Sequence, residues 1–571
     1  MEKLIKDAPN DPIKRAKPEP DAAGVAAAPA VSADTIDPAA IDWPEPFSTF
    51  WERPPRTLPP PTTTASVPQD NDRMHVVHIT AELAPLAKVG GLGDVVTGLA
   101  RAVGERGHTV EVVLPFYECI DVDQVENLRH ERDFDVPKGF EFDGKVAFQS
   151  VRTSVHRGTI AGCEVVLLRP ETDNARHIFR GGEIYGGGYN QLEAYLYFCR
   201  AALEFLKTGG AQPHVLHLHE WQTSAAAMLY WDVYNSEGSL NQARVVLTIH
   251  NMDNPGECRV EEFAAAGVDG EQYMDVKKAM DERTIGHNPE RMSLLKGGII
   301  YSNDVTTVSP TYAQETLEGG AAGWMGQLLT ANKQKYHGIL NGIDTMLWDP
   351  ERDPYLPLSF GPASSAKGKL LMKEYVQKGL GLDVNPDKPL VICVTRLVPQ
   401  KGLHLIRHAI GSTAERGGQF VLLGSGHGDG DFRALAEGEF KDHPNVRLKI
   451  MYNEALSHLI FAASDITLVP SMFEPCGLTQ MVAMRYGSLP LVRRTGGLAD
   501  TVVDVDADPE NGNGYVFDGG SEAELDLTLS RALEAYRTRR AWWSGMQQKI
   551  MGTDWSWARS AEQYAALYRG P

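Results

Sequence analysis

Val76 to Val103 reads VVHITAELAPLAKVGGLGDVVTGLARAV, and the order of its parts decides the fold class. Val76-Val77-His78-Ile79 is a short apolar, β-branched run of the kind buried in a parallel strand. Lys88-Val89-Gly90-Gly91-Leu92-Gly93-Asp94-Val95 is a glycine turn. Val95, Val96, Leu99 and Val103 then recur at helical spacing, so the turn opens an amphipathic helix. A strand, a glycine turn and a helix form half of a doubly wound α/β unit.

The same grammar extends in both directions. Strand-like runs recur at Val110 to Leu114, Val165 to Leu168 and Val245 to Ile249. After a break they return at Leu390 to Val394, Phe420 to Leu423, Ile466 to Val469 and Leu489 to Val492. Continuous apolar runs separated by helices predict parallel sheets covered on both faces. The break falls at residues 344–388, where Asp349-Pro350, Asp353-Pro354, Leu356-Pro357, Gly361-Pro362 and Asn385-Pro386 read as an inter-domain connection. The expected architecture is therefore two doubly wound α/β domains, residues 73–336 and 337–552, with a closing tail at 553–571. Residues 1–72 hold 14 of the 35 prolines and little apolar periodicity, and are expected to be a disordered lead-in. That segment lacks a signal-peptide core, and its acidic residues fit an organelle transit peptide poorly.

Composition removes several function classes. Lys and Arg total 55 against 75 Asp and Glu, a net charge of −20, which argues against a general nucleic-acid binder or a basic membrane-surface protein. No stretch approaches the ~20 uninterrupted apolar residues of a membrane-spanning helix. The six cysteines (Cys119, Cys163, Cys199, Cys258, Cys393, Cys476) include no CxxC pair, so neither a disulfide framework nor a zinc site is expected.

Four signals carry possible chemistry. Around Lys88, Gly91, Gly93 and Asp94, glycines and a helix N-terminus can cradle a phosphate; the plain alternative is a ligand-free turn. Thr395 to Gly402 places Arg396 and Lys401 on a loop after a buried strand, where a diphosphate would be gripped or where ordinary surface charges would sit. Pro470 to Gln480 puts Glu474, Cys476, Gly477 and Leu478 after another strand, and Thr495, Gly496 and Gly497 form a further glycine loop. Cys476 reads as a small packed residue. Finally, His217-Leu218-His219-Glu220-Trp221 and His250-Asn251 end two first-domain strands; the HxH pair lacks the remaining ligands of a metal site, and no metal is expected.

These phrases, in order, carry a resemblance. KVGGLGDVV, HLHEWQTS, TVSPTYAQE, GILNGIDTMLWDP, TRLVPQKGLHLIRHAI, FEPCGLTQMVAMRYGSLPLVRRTGGLADTV and SWARSA make Met74 to Tyr568 resemble the starch and glycogen synthases, most of all the soluble starch synthases of plants and algae, classes III and IV. The resemblance implies the GT-B fold: two Rossmann-like domains facing a cleft, with a C-terminal helix, here about Trp557 to Tyr568, crossing back to the first domain. It implies retaining transfer of glucose from ADP-glucose to the non-reducing 4-hydroxyl of an α-1,4-glucan, without cofactor or metal, in a plastid or in a bacterial cytoplasm. Carried over by position, Arg396 and Lys401 neutralise the departing diphosphate, Glu474 is the carboxylate near the transferred glucose, and His250 contacts that glucose. Asn341 is an active-site amide and Tyr452 stacks on the base. Lys88 with Gly91 to Gly93, Cys476 to Leu478 and Thr495 to Gly497 complete the donor site.

The chain departs from the family pattern at Glu220, where aspartate is usual, at Asn190 to Tyr195, and at Met252 to Gly256; all lie on the first-domain, acceptor side. The competing readings are a non-catalytic glucan-binding or granule-initiation protein on the same fold, a UDP-glucose-using glycogen synthase, and a glucan phosphorylase. A phosphorylase would need a pyridoxal phosphate lysine context that the sequence does not offer.

Overall fold

A computed structural model describes residues 37–57, 67–142, 145–318 and 320–570. The expected lead-in at 1–36 and 58–66 lies outside the described residues.

The first domain is built on strands β1 (His75–Ile79), β2 (Thr109–Pro115), β3 (Glu126–Phe142), β4 (Lys145–Ile160), β5 (Cys163–Pro170), β6 (Val215–His219) and β7 (Arg244–Ile249). A small antiparallel ladder of β8 (Glu257–Cys258) and β9 (Met292–Ser293) is followed by β10 (Asp304–Thr307) and β11 (Tyr336–Gly338). The nine-stranded sheet runs β11-β10-β7-β6-β1-β2-β5-β4-β3, parallel except where β4 pairs antiparallel with β5 and β3. The second domain is a six-stranded parallel sheet of β12 (Leu390–Val394), β13 (Gln419–Leu423), β14 (Val446–Lys449), β15 (Ile466–Val469), β16 (Leu489–Arg493) and β17 (Tyr515–Phe517). Its order is β14-β13-β12-β15-β16-β17, and β12, β13 and β15 are buried almost throughout because helices cover both faces. Every run read as a strand from the sequence lies in one of these strands. In such sheets ligands collect beyond the carboxyl ends of the strands.

Three features differ from expectation. First, β11 belongs to the first sheet, pairing with β10, so that domain reaches Gly338 and not 336. Second, most of residues 344–388 belongs to the second domain and is not a connection. Leu356, Leu358 and Phe360 are in its core, and the helix Ser365–Gly379 buries Lys373 against Asp465 at 2.5 Å. The prolines there shape turns that deliver apolar side chains inward. Third, residues 37–57 of the expected lead-in are packed. Phe50 and Trp51 are buried in the second-domain core, Phe50 lies edge-on to Tyr375, and Lys449 sits over the Trp51 ring at 4.9 Å. Arg56 donates to the carbonyl of Asp353 and to Ser359 Oγ. Apolar periodicity is absent from this strap because isolated aromatic anchors hold it, not a helix or strand face.

The strap ends on the second domain, and from Gln69 and Asp70 onward the chain is bonded to the first. Trp51→Ala is expected to lower stability by about 3 kcal/mol, the usual cost of emptying a buried indole site. Chemical denaturation measures it, and an unchanged midpoint would show that the strap is only laid on the surface.

The C-terminal helix Ala558–Arg569 returns to the first domain. Trp557, Ala561, Tyr564 and Tyr568 share a core cluster with Val76, Val95, Leu99 and Val103, the opening strand and helix of the chain. At the crossing, Ile343 N donates to Trp555 O and Ser560 Oγ to Leu340 O.

Candidate active site

On the second domain the predicted residues converge. Lys401 Nζ lies 2.5 Å from Glu474 Oε2, and Ser471 Oγ donates to the same oxygen at 2.7 Å; both partners of the ion pair are largely buried. The loop bearing Lys401 is tied to the loop bearing Glu474 by Met472 N donating to Gln400 O and Gln400 Nε2 donating to Phe473 O. The glycine loop lies directly on top. Gly497 N donates to Glu474 O at 3.0 Å, and a Cβ at Gly497 would sit 2.0 Å from the Cys476 carbonyl oxygen, so only glycine permits this approach. Arg396 is exposed, and its guanidinium makes no hydrogen bond or ion pair among the described residues. Gly477 and Leu478 precede the helix Thr479–Arg485. Cys476 is buried, and burial pushes its thiol up to about 12 against the pull of Asn341, in keeping with a small packed residue.

The cleft is closed at one end by contacts between the domains. Glu315 Oε1 accepts from Gly496 N at 2.9 Å and from Thr495 Oγ1 at 3.3 Å. Asp500 accepts from Thr311 N and Oγ1, and Ser309 Oγ donates to Pro475 O. Across from these, Lys88 pairs with Asp94 at 2.8 Å. Burial disfavours the charged Lys88, but Asp94, with Tyr452 and Glu454 of the second domain, outweighs it and raises its pKa. Burial likewise raises Asp94, which Lys88 opposes. The Lys88 loop therefore faces the exposed Tyr452 across the cleft.

The glycine turn differs in one respect from a simple phosphate cradle. Glu82 Oε2 accepts from Val89 N at 2.8 Å and Gly90 N at 3.0 Å, and Glu82 Oε1 accepts from Tyr185 OH. Two amides of the turn are thus already taken, leaving those from Gly91 onward. Glu82 was missed from the sequence; its signal is a carboxylate three residues after a buried strand and just before a glycine turn.

On the first domain Glu220 begins the helix after β6 with φ of 65°, a left-handed conformation that costs a non-glycine residue energy. Its Oε1 accepts from His250 N at 2.5 Å and Asn251 N at 2.8 Å, so it clamps the loop after β7. Glu220 thus acts through backbone, and its longer side chain is used in reaching these amides. Of the other departures, Asn190 caps the helix Gln191–Thr208, and Tyr195 is buried with its hydroxyl bonded to Tyr117. Gly256 packs under the Trp221 ring.

Burial pushes the Glu220 carboxyl up to about 7 from its ordinary 4.5, against the pull of the two amides. The folded chain then keeps a proton that the unfolded chain releases. The stability this confers is present below about pH 4.5 and lost as pH rises through about 7. Glu220→Gln keeps an acceptor oxygen for both amides and removes the titration. Its stability relative to the parent is expected to climb steadily between those two pH values in denaturant titrations; a constant difference would refute the assignment.

His78, His217 and His219 bring ligand atoms within 4.8 Å of one another, the one such cluster among the described residues. His217 bonds Tyr568 OH through Nδ1 and Thr248 Oγ1 through Nε2, and His219 bonds His78 and His250. Five of the six ring nitrogens of this cluster are thus taken up in a polar hydrogen-bond network, His78 Nε2 being the exception among the described residues.

Two Rossmann-like domains, a cationic loop and a carboxylate on one side, histidines on the other, and a helix crossing back define a GT-B glycosyltransferase. Residues 75–331 match the starch synthase catalytic domain family and residues 381–548 the glycosyl transferases group 1 family. The chain is 45% identical over 504 residues to the probable starch synthase 4, chloroplastic/amyloplastic, of Arabidopsis thaliana, covering 87% of this chain and 47% of that one. It is 39% identical over 510 residues to the glycogen synthase of Protochlamydia amoebophila, covering 87% and 99%. A solved structure, the catalytic domain of starch synthase IV from Arabidopsis thaliana bound to ADP and acarbose, superposes with a TM-score of 0.80 at 43% identity, covering 87% of this chain and 99% of that one. The chain belongs to the starch and glycogen synthase family. It spans about half of the plant relative's length and nearly all of the bacterial one's. No helix among the described residues is long and apolar enough to cross a membrane.

Proposed function

We propose that the protein transfers glucose from ADP-glucose to the non-reducing 4-hydroxyl of an α-1,4-glucan, with retention and with no cofactor or metal. The observation that carries this reading is the Lys401–Glu474 pair, held under the Thr495–Gly497 loop, which is itself bonded to the first domain through Glu315. As the glycosidic bond of the donor breaks, negative charge grows on the leaving diphosphate. Lys401 and Arg396 are placed to stabilise that charge, which lowers the barrier because it is larger in the transition state than in the ground state. Glu474 lies where positive charge develops on the sugar. Tyr452, exposed on the loop after β14, offers a face to the base. In a front-side retaining reaction the departing phosphate takes the acceptor's proton, so no second carboxylate is required. The relative solved with ADP and acarbose supports both a nucleotide and a glucan ligand. The chloroplastic relatives support a plastid location.

A competition assay with labelled ADP-glucose and UDP-glucose, using malto-oligosaccharide and polymer acceptors, tests this. ADP-glucose is expected to be preferred, with the rate unchanged by a metal chelator. Glucan binding without incorporation from either donor would establish the scaffold reading instead.

A further inference from the structure

We propose that His78 and His219 are positioning residues that fix the tautomer of His250, presenting a permanent Nδ1–H to the cleft. The inference rests on the reading of His250 as the histidine that meets the transferred sugar. Three imidazoles are threaded in a line: His78 Nδ1 lies 3.0 Å from His219 Nε2, and His219 Nδ1 lies 3.2 Å from His250 Nε2. His78 and His219 are wholly buried, while His250 is partly exposed at the end of β7. Desolvation holds all three neutral, His78 and His250 near 3 and His219 well below its ordinary value.

A neutral imidazole has one N–H and one lone pair, so each ring in the line dictates the next. Only two arrangements satisfy both hydrogen bonds, and the far end selects between them. His78 Nε2 is buried and has no hydrogen-bond partner among the described residues. In one arrangement it carries a stranded N–H; in the other, a stranded lone pair. A buried N–H without a partner is the rarer and costlier case. The proton of His78 therefore sits on Nδ1 and donates to His219 Nε2. The proton of His219 sits on Nδ1 and donates to His250 Nε2, which leaves the proton of His250 on Nδ1. His217 does not disturb this order, because both its nitrogens are taken by Tyr568 and Thr248. A fixed neutral donor suits a sugar hydroxyl oxygen and adds no positive charge beside the developing oxocarbenium centre.

Nitrogen-15 imidazole spectra of the full chain without substrate test the assignment, with the His250 signal identified by its loss in His250→Gln. The Nδ1–H form is expected throughout the neutral range; an Nε2–H form or a mixture overturns the proposal. In His219→Phe the His250 ring is expected to revert to a mixture and kcat to fall about tenfold, the worth of roughly one hydrogen bond. In His219→Gln, whose amide supplies an N–H donor, tautomer and kcat recover. Equal losses in the two variants would mean that His219 only fills space, and would equally overturn it. The spectra need no turnover, so a correct tautomer in a chain that transfers no glucose would count against the proposed function alone.

Discussion

Replacing Lys401 with alanine lowers turnover of glucosyl transfer by about 100- to 1,000-fold while the chain stays folded, the loss typical of deleting one transition-state donor. Two effects add. On the proposed mechanism the leaving diphosphate loses a stabilising charge, and Glu474, largely buried, keeps Ser471 as its one side-chain hydrogen-bond partner among the described residues. Removing one partner of a largely buried ion pair leaves the other unpaired at a high cost, so the variant also disturbs the carboxylate that the proposed mechanism needs. Lys401→Arg is expected to recover little, because a planar fork does not occupy the place of a point charge 2.5 Å from a single oxygen. Glu474→Gln should cost at least as much as Lys401→Ala, and the double variant little more than either, since groups that act as a unit are not additive. Steady-state kinetics with circular dichroism as a folding control decide it. Near-normal turnover in Lys401→Ala would remove both residues from the mechanism.

How much of this was legible in the sequence follows from what each part is buried against. Strands β1, β12 and β15 announced themselves because both faces are covered and each carries a short run dominated by apolar, β-branched residues. The loops after them could be read because glycine, lysine and glutamate are conspicuous after such runs. The β3–β4 hairpin could not, because only alternate residues such as Phe134, Val136, Val151 and Val155 face inward among many charges. The strap at 37–57 was hidden by its prolines, since its order depends on sites in a domain more than 300 residues later. Within the site, Lys401 and Glu474 could each be named but not paired. The contact between His78 and His219 joins residues 141 apart, and it gives meaning to a histidine that by itself reads as ordinary core. Chemistry that sits on a loop shows in local sequence; chemistry that depends on which side chain lies behind it does not.

The same point gives the second large expected effect, at a residue with no chemistry. Gly98 lies mid-helix in Gly91–Glu105, and a Cβ there would sit 2.0 Å from Trp557 Nε1, inside the indole that begins the crossover. Gly98→Val leaves that indole no room, and Trp557→Ala empties its site; each is expected to cost about 3–5 kcal/mol, at the level of a lost core aromatic. Valine in an exposed helix position would be roughly neutral relative to glycine, so the penalty arises wholly from the contact. In the Trp557→Ala background, Gly98→Val should therefore cost almost nothing, giving a coupling energy of about 3–5 kcal/mol, the whole cost of the single variant, in a double-mutant cycle. Additive losses would show that the clash is relieved by backbone movement and that the notch is not what seats the helix. Activity should fall with stability in the single variants, because Tyr568, eleven residues past Trp557, holds His217 beneath the strand ends that carry His219 and His250. The C-terminal helix thus reaches the sheet beneath the proposed catalytic face through two hydroxyls, Tyr568 on His217 and Tyr564 on Thr248 and Thr306, and freeing it loosens the floor of the cleft from behind.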